Sequence, residues 1–401
     1  MKKLFIIAVV ALVALSACTK IETVEKPVQK ITFLTANYMS QTKAGEVSVL
    51  NDFNEFKCLA FLHAEGVDLN ADYSVKTDSY QAFFGSGETI SPYNSSNAKL
   101  TGLTSTATNV AYWAPSHDYY WPKGEHSFVN FAGWYGTTGS AASDPTIAYA
   151  YDNSISKWKA TLTWAFSNST VGATGANLLY SDMAWRYNEN PDASYKLNGL
   201  ASGYKGVPML FHHALAQINV KAYAASADSP ALTAGTGNVT DGLATWTITL
   251  EDIYINNIYN AGTLTLTNAD PGSTQAQPWE GSWQGTGSVG TLHPSSNFTV
   301  QKVTQATAED LVAATCVLPQ TIGSTVTLTF NMRIRTDYTG GVYNTELIPV
   351  TIKFNDMGTS AWAQNTKYTY YIIINPSQKT VRFDPALQAD WSEATAGSAT
   401  I

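Results

Sequence analysis

Four kinds of side chain in this sequence have types and spacings that could do chemistry, and each points to a different kind. Six histidines are present, with His212 and His213 adjacent and His117, Asp118 and His126 close together. Neighbouring residues of a strand point to opposite faces, so His212 and His213 cannot hold one ion jointly, and His117, Asp118 and His126 match no metal-ligand spacing. No metal and no cofactor is expected. A hydrolase needs a placed nucleophile or a carboxylate pair. The acids here are scattered, and neither a Gly-x-Ser-x-Gly elbow nor a phosphate-cradling Gly-Lys-Thr/Ser loop occurs. The chain does not read as an enzyme. Eleven tryptophans make the third group; Tyr119, Tyr120 and Trp121, beside Pro115 and Pro122, could stack on a sugar ring or belong to a core. Thiols are the fourth. Cys58 and Cys316 each lie in an apolar stretch, far apart, and read as small buried hydrophobes rather than a bridge.

Cys18 has a different setting. Lys2 and Lys3 precede an uncharged apolar run from Leu4 to Ala17 that ends in Leu15-Ser16-Ala17-Cys18. The run is shorter than the roughly 18 residues that span a bilayer, so it reads as a cleaved secretory signal, residues 1–17. Its small-small-Cys ending resembles a bacterial lipoprotein box, in which the cysteine after the cut becomes the acylated N-terminus. Acyl chains contribute roughly 0.8 kcal/mol per buried CH2 and hold a domain on a membrane without a spanning helix. An outer-membrane, lipid-anchored precursor is the expectation, with residues 18–30 as a polar tether containing Pro27. Removal of residues 1–17 takes Lys2, Lys3 and no acid, which moves the formal charge from −8 to −10. That sign argues against nucleic acid as a partner.

The elements that would carry these residues are strands. Charged residues make up only 13% of the chain, against about 25% in an average domain, and β-branched and aromatic residues are abundant. Ile31 to Tyr38 is a short strand-like run followed by a polar loop, Ser40 to Gly45. Period-two alternation is plain at Trp158-Ala160-Leu162-Trp164-Phe166, at Val326-Leu328-Phe330-Met332-Ile334 and at Ile348-Val350-Ile352-Phe354. The apolar parity is even at Trp246, Ile248 and Leu250 and odd at Ile253 and Ile255, which predicts a bulge near Glu251-Asp252. Tyr368 to Ile374, apolar on both parities, predicts a central strand. Thr307 to Ala314 is the one stretch that reads as a short helix. The fold class expected is all-β, as antiparallel β-sandwiches, in two domains at residues 31–205 and 206–401.

Several segments in a fixed order resemble the Bacteroidales-type fimbrillins, the lipoprotein subunits of type V pili. They are Phe211-His212-His213-Ala214-Leu215-Ala216-Gln217-Ile218-Asn219-Val220, Ile253-Tyr254-Ile255-Asn256-Asn257 with Gly262-Thr263-Leu264, Val317-Leu318-Pro319-Gln320, and Trp362 with Lys367-Tyr368-Thr369-Tyr370. Ile374-Asn375-Pro376, Phe383-Asp384-Pro385-Ala386 and Asp390-Trp391 follow, and Trp121-Pro122-Lys123-Gly124 with His126-Ser127-Phe128 is a looser match in the first half.

The resemblance implies two transthyretin-like sandwiches in tandem and an assembly chemistry. A surface trypsin-like protease cuts the lipoprotein precursor, its first strand leaves, and the groove accepts a strand from another pilin subunit, by main-chain hydrogen bonding and alternate side chains. Carried onto this chain, the displaced strand holds Ile31, Phe33, Leu34 and Tyr38, and the cut falls between Lys43 and Ala44. The family uses arginine at this loop, whereas the first arginine here is Arg186, so a lysine-accepting protease is required. The bland reading of Lys43 is a solvated loop residue in a precursor that stays intact. If the C-terminus donates, Val381, Phe383, Leu387 and Trp391 are its bulky residues. Stalk and tip positions are both open, as is the surface ligand. The competing expectation is a monomeric outer-membrane lipoprotein that captures glycans on Tyr119, Tyr120 and Trp121.

Overall fold

The computed structural model describes residues 29–37, 47–48, 55–63, 80–84, 87–101, 110–122, 128–136, 144–166, 178–191, 197–198, 206–225, 232–273, 275–285, 289–292 and 297–390. The signal, Cys18, Tyr38, Lys43, Ala44, His126 and Trp391 lie outside these residues. The described chain is nearly all β. Its principal strands begin with β1 (Phe33–Asn37), β2 (Phe56–His63), β3 (Glu88–Tyr93), β4 (Tyr112–Pro115) and β5 (Phe128–Gly136). There follow β6 (Thr146–Asp152), β7 (Lys157–Phe166), β8 (Leu178–Ser181), β9 (Met183–Tyr187) and β10 (Val207–His213). The second half supplies β11 (Ala216–Ala224), β12 (Ala244–Tyr259), β13 (Gly262–Ala269), β14 (Glu280–Gly285) and β15 (Glu309–Val317). The last are β16 (Thr327–Tyr338), β17 (Tyr343–Lys353), β18 (Thr366–Asn375) and β19 (Thr380–Asp390).

The first sheet closes on itself. β5 pairs with β8, β8 with β10, β10 with β1, β1 with β4, β4 with β3, β3 with β2, and β2 returns to β5. Inside this ring lies a core of Ile31, Phe33, Phe56, Phe84, Trp113, Phe131 and their neighbours. β5 is buried on both faces because it has a core on each side. Val129 and Phe131 point into the ring, while Ala132 and Trp134 point out, under a second sheet. That run therefore lacks polar alternation, as a doubly covered strand should.

The covering sheet has the order β14-β13-β7-β6, and the alternation at Trp158 to Phe166 is its wet-and-dry pattern. Polar bonds pin it to the ring. Trp185 Nε1 donates to Asn268 Oδ1 at 2.7 Å, and Arg186 holds the buried Asp270 at 2.7 Å. A third core fills a two-layer sandwich between β15-β11-β18-β19 and a sheet built on β12, β16 and β17. β18 is internal there, as its apolar run predicts. In β12 the register shifts between Glu251 and Tyr254 with Asp252 at φ 53°, where the parity change had predicted a bulge.

Three observations differ from expectation. Glu309–Val317 is strand β15, preceded by a 3-10 turn at Gln305–Thr307, and not a helix over 307–314. Pairing with β11 (Val220 opposite Val312) buries Leu311, Val312 and Val317, and that packing outweighs a weak local helical signal. Pairing is not purely antiparallel, because β1–β10 and β11–β18 run parallel. Strand pairing also crosses the boundary expected at 205/206, since β10 completes the ring and β13–β14 extend the β6–β7 sheet.

Candidate functional site

β1 is the strand that closes the ring, and its seat can be built from the residues upward. Along one edge Phe33–Asn37 runs parallel to Val207–Phe211, with the Val207 amide donating to the Thr32 carbonyl at 2.8 Å. Along the other, Phe33 faces Trp113 of β4. Further upstream the Ile31 amide donates to the Tyr119 carbonyl (2.8 Å) and the Trp121 amide to the Gln29 carbonyl (3.2 Å). Phe33 is 0% exposed. Its ring meets Phe131 edge-on at 5.2 Å, Phe56 at 6.2 Å and Phe84 at 6.3 Å. Ile31 shares that core, and Leu34 is also buried. Burial of each such side chain stabilises by roughly 1.5–3 kcal/mol. β1 is thus a structural member of the ring, paired over its five residues with β10 and at Phe33 with β4.

Two residues outside any strand hold its main chain. The Asn190 side chain accepts from the Thr32 amide (3.1 Å) and donates to the Lys30 carbonyl (2.6 Å), so one amide group bridges the backbone of residues 30 and 32. Trp121 Nε1 orients Asn190 by donating to its Oδ1 at 3.1 Å. Gly206 lies against Phe33 so closely that an added Cβ would come within 2.9–3.1 Å of the Phe33 backbone. Neither residue stands out in the sequence, since their partners are remote along the chain.

The aromatic triplet is largely part of this seat. Trp121 is buried, edge-on to Phe131 at 5.9 Å. Tyr119 is half-buried with its ring 4.5 Å from Phe84 and its hydroxyl donating to Glu88 Oε1 at 2.8 Å; burial, then the Glu88 carboxylate, push its pKa up to about 12. Only Tyr120, 42% exposed, faces solvent. Of the two readings open for the triplet, core or sugar platform, Trp121 and the half-buried Tyr119 take the first by completing the core beneath β1, and Tyr120 keeps an exposed ring.

The histidines on β10 are buried and separate. His212 Nε2 lies 2.6 Å from Asp182 Oδ1 and its ring stacks on Tyr180, while burial takes the His213 pKa down to about 3. No group of three metal-ligating side chains occurs among the described residues. Cys58 and Cys316 are free and buried, with Cys316 pushed up to about 12 by burial and Cys58 pushed well up for the same reason. They act as small hydrophobes. No helix among the described residues is long and apolar enough to cross a membrane.

Residues 76–391 match the fimbrillin-like family. The chain belongs to that family. The matched span begins after β1 and β2 and takes in the ring strands from β3 onward, the covering sheet and the sandwich. No curated protein matches. Among solved structures, a fimbrial protein from Bacteroides vulgatus is 14% identical, with 90% of this chain and 99% of that one covered at a TM-score of 0.48. The fimbrial anchor protein Mfa2 from Porphyromonas gingivalis is 8% identical, with 91% and 98% covered at 0.26. Membership supports a fimbrial-subunit role at the cell surface.

In this fimbrillin-like chain the donor candidates sit apart from the seat of β1. Val381, Phe383 and Leu387 belong to β19, which among the described residues pairs only with β18, in the order β15-β11-β18-β19. Val381 is half-buried against the sandwich core, while Phe383 and Leu387 are 36% and 46% exposed.

Proposed function

We propose that this chain is a fimbrial subunit whose β1 is a provisional strand. It is exported and acylated on Cys18, anchored in the outer membrane, cut after Lys43 by a lysine-accepting, trypsin-like surface protease, and assembled when β1 is replaced by a strand from another subunit. The observation that carries the reading is the position of β1. It is a short segment near the N-terminus, yet both of its edges are paired and Phe33 lies at the centre of the ring core. Its departure would leave β4 and β10 with unpaired main-chain groups and a row of empty apolar pockets, the condition that strand addition relieves. On β19, Val381 and Phe383 repeat the two-residue spacing of Ile31 and Phe33, which supports that edge strand as a donor. The acylated precursor would keep the subunit at the membrane until the cut.

The test is direct. Full-length protein treated with a lysine-accepting trypsin-like protease and run on unheated SDS gels is expected to form detergent-resistant ladders, and fimbriae are expected to contain chains that begin at Ala44. Fimbriae whose chains begin at a blocked Cys18 would overturn the reading.

A further inference from the structure

We infer that the seat of β1 selects its incoming segment by two separable devices: a main-chain clamp at Asn190 that is indifferent to sequence, and a paired pocket that demands two bulky apolar residues two positions apart. This rests on the exchange reading above and names what the exchanged partner must look like.

The clamp is read from its bonds. Both hydrogen bonds from Asn190 to residues 30 and 32 go to main-chain atoms: it accepts from the Thr32 amide at 3.1 Å and donates to the Lys30 carbonyl at 2.6 Å. A side-chain amide bonded in that way recognises any extended backbone. Trp121 Nε1 donates to the same Asn190 Oδ1 and so holds the group in place, and Trp121 itself is fixed against Phe131 in the core. The clamp therefore belongs to the part of the seat that remains when β1 leaves. Gly206 supports it, because its lack of a side chain lets the segment's backbone approach closely at Phe33.

The pocket discriminates. Phe33 is enclosed by Phe131, Phe56 and Phe84, all of which come from other strands or loops and stay behind. The Ile31 position opens into the same core. A small residue at the Phe33 position would leave a cavity lined by aromatic rings, and deletion of a buried Phe side chain is among the costliest core changes. Pairing with β10 and β4 adds affinity without choosing among sequences, because main-chain bonds are common to all extended segments.

The experiment uses the full chain carrying a recognition site for a sequence-specific protease at Lys43, so that it does not depend on the natural cut. After cleavage, a fluorescent peptide of residues 28–38 is added in excess and its capture is followed by anisotropy. The native peptide is expected to be captured, Phe33→Leu to bind within about tenfold of it, and Phe33→Ala to lose more than about 100-fold. Asn190→Ala in the receptor is expected to weaken the native and Phe33→Leu peptides by one common factor, about tenfold. Equal capture of the native and Phe33→Ala peptides would overturn the pocket, and a change in peptide ranking with Asn190→Ala would overturn the clamp. The peptide arms leave the receptor unaltered, so they stand even where Asn190→Ala does not fold. Failure to capture any peptide after complete cleavage would overturn the exchange reading, and with it this rule.

Discussion

β1 and β19 are single strands near opposite ends of the described chain, and they hold their sheets in opposite ways. β1 has five residues, all paired with β10, a pairing with β4 at Phe33 on its other edge, and a fully buried Phe33. β19 has eleven residues, one paired edge, and Phe383 and Leu387 partly in water. The shorter strand is the more consequential, because a closed ring has no spare edge. Removing any member opens two rows of main-chain groups at once, whereas removing an edge strand uncovers one. An edge strand can leave and the sandwich behind it keeps most of its core. That asymmetry suits β1 to be the vacancy and β19 to be the donor.

The largest expected effect sharpens this contrast. Phe33→Ala is expected to cost about 3–5 kcal/mol in urea unfolding of the full chain followed by tryptophan fluorescence. A loss below about 1 kcal/mol would mean that the ring does not depend on β1.

Acid is expected to come next. Burial holds His213 of β10 neutral, its pKa down to about 3 from an ordinary value of 6.5. The unfolded chain binds this proton first, so the stability from burying His213 is complete above about pH 6.5 and is lost as pH falls toward 3. Unfolding curves across that window should flatten in His213→Gln if the group is responsible.

A smaller effect is expected at Gly206→Ala, which presses a methyl group on the Phe33 backbone. About 1–3 kcal/mol should be lost, together with faster exchange of the amide protons of residues 31–33. Phe383→Ala is the smallest, expected below about 1 kcal/mol, since its ring is already part-exposed. Should Phe383→Ala cost as much as Phe33→Ala, the distinction between keystone and edge collapses.

Much of the strand content was legible. The alternation at Trp158 to Phe166 and at Val326 to Ile334 appears as buried faces of β7 and β16, and the parity change after Leu250 marks the bulge in β12. The stretch 307–314 was misread because Glu309-Asp310 suits a helix start, while the pairing that makes it β15 comes from β11, some ninety residues earlier. At the candidate site, Ile31, Phe33 and Leu34 were legible as a strand that covers a core. Asn190 and Gly206 were not, and neither was the burial of Trp121 in place of its display.

By itself the sequence determined an all-β chain whose alternating runs mark its strands, among them the apolar run that begins at Ile31. Those are local properties, carried by side-chain period and by residue type within a few positions. Only the tertiary structure decided that β1 closes a ring, in parallel with β10, under a clamp from Asn190. The bonds responsible join residues 158 and 160 positions apart, and nothing in the local pattern of either segment specifies its distant partner.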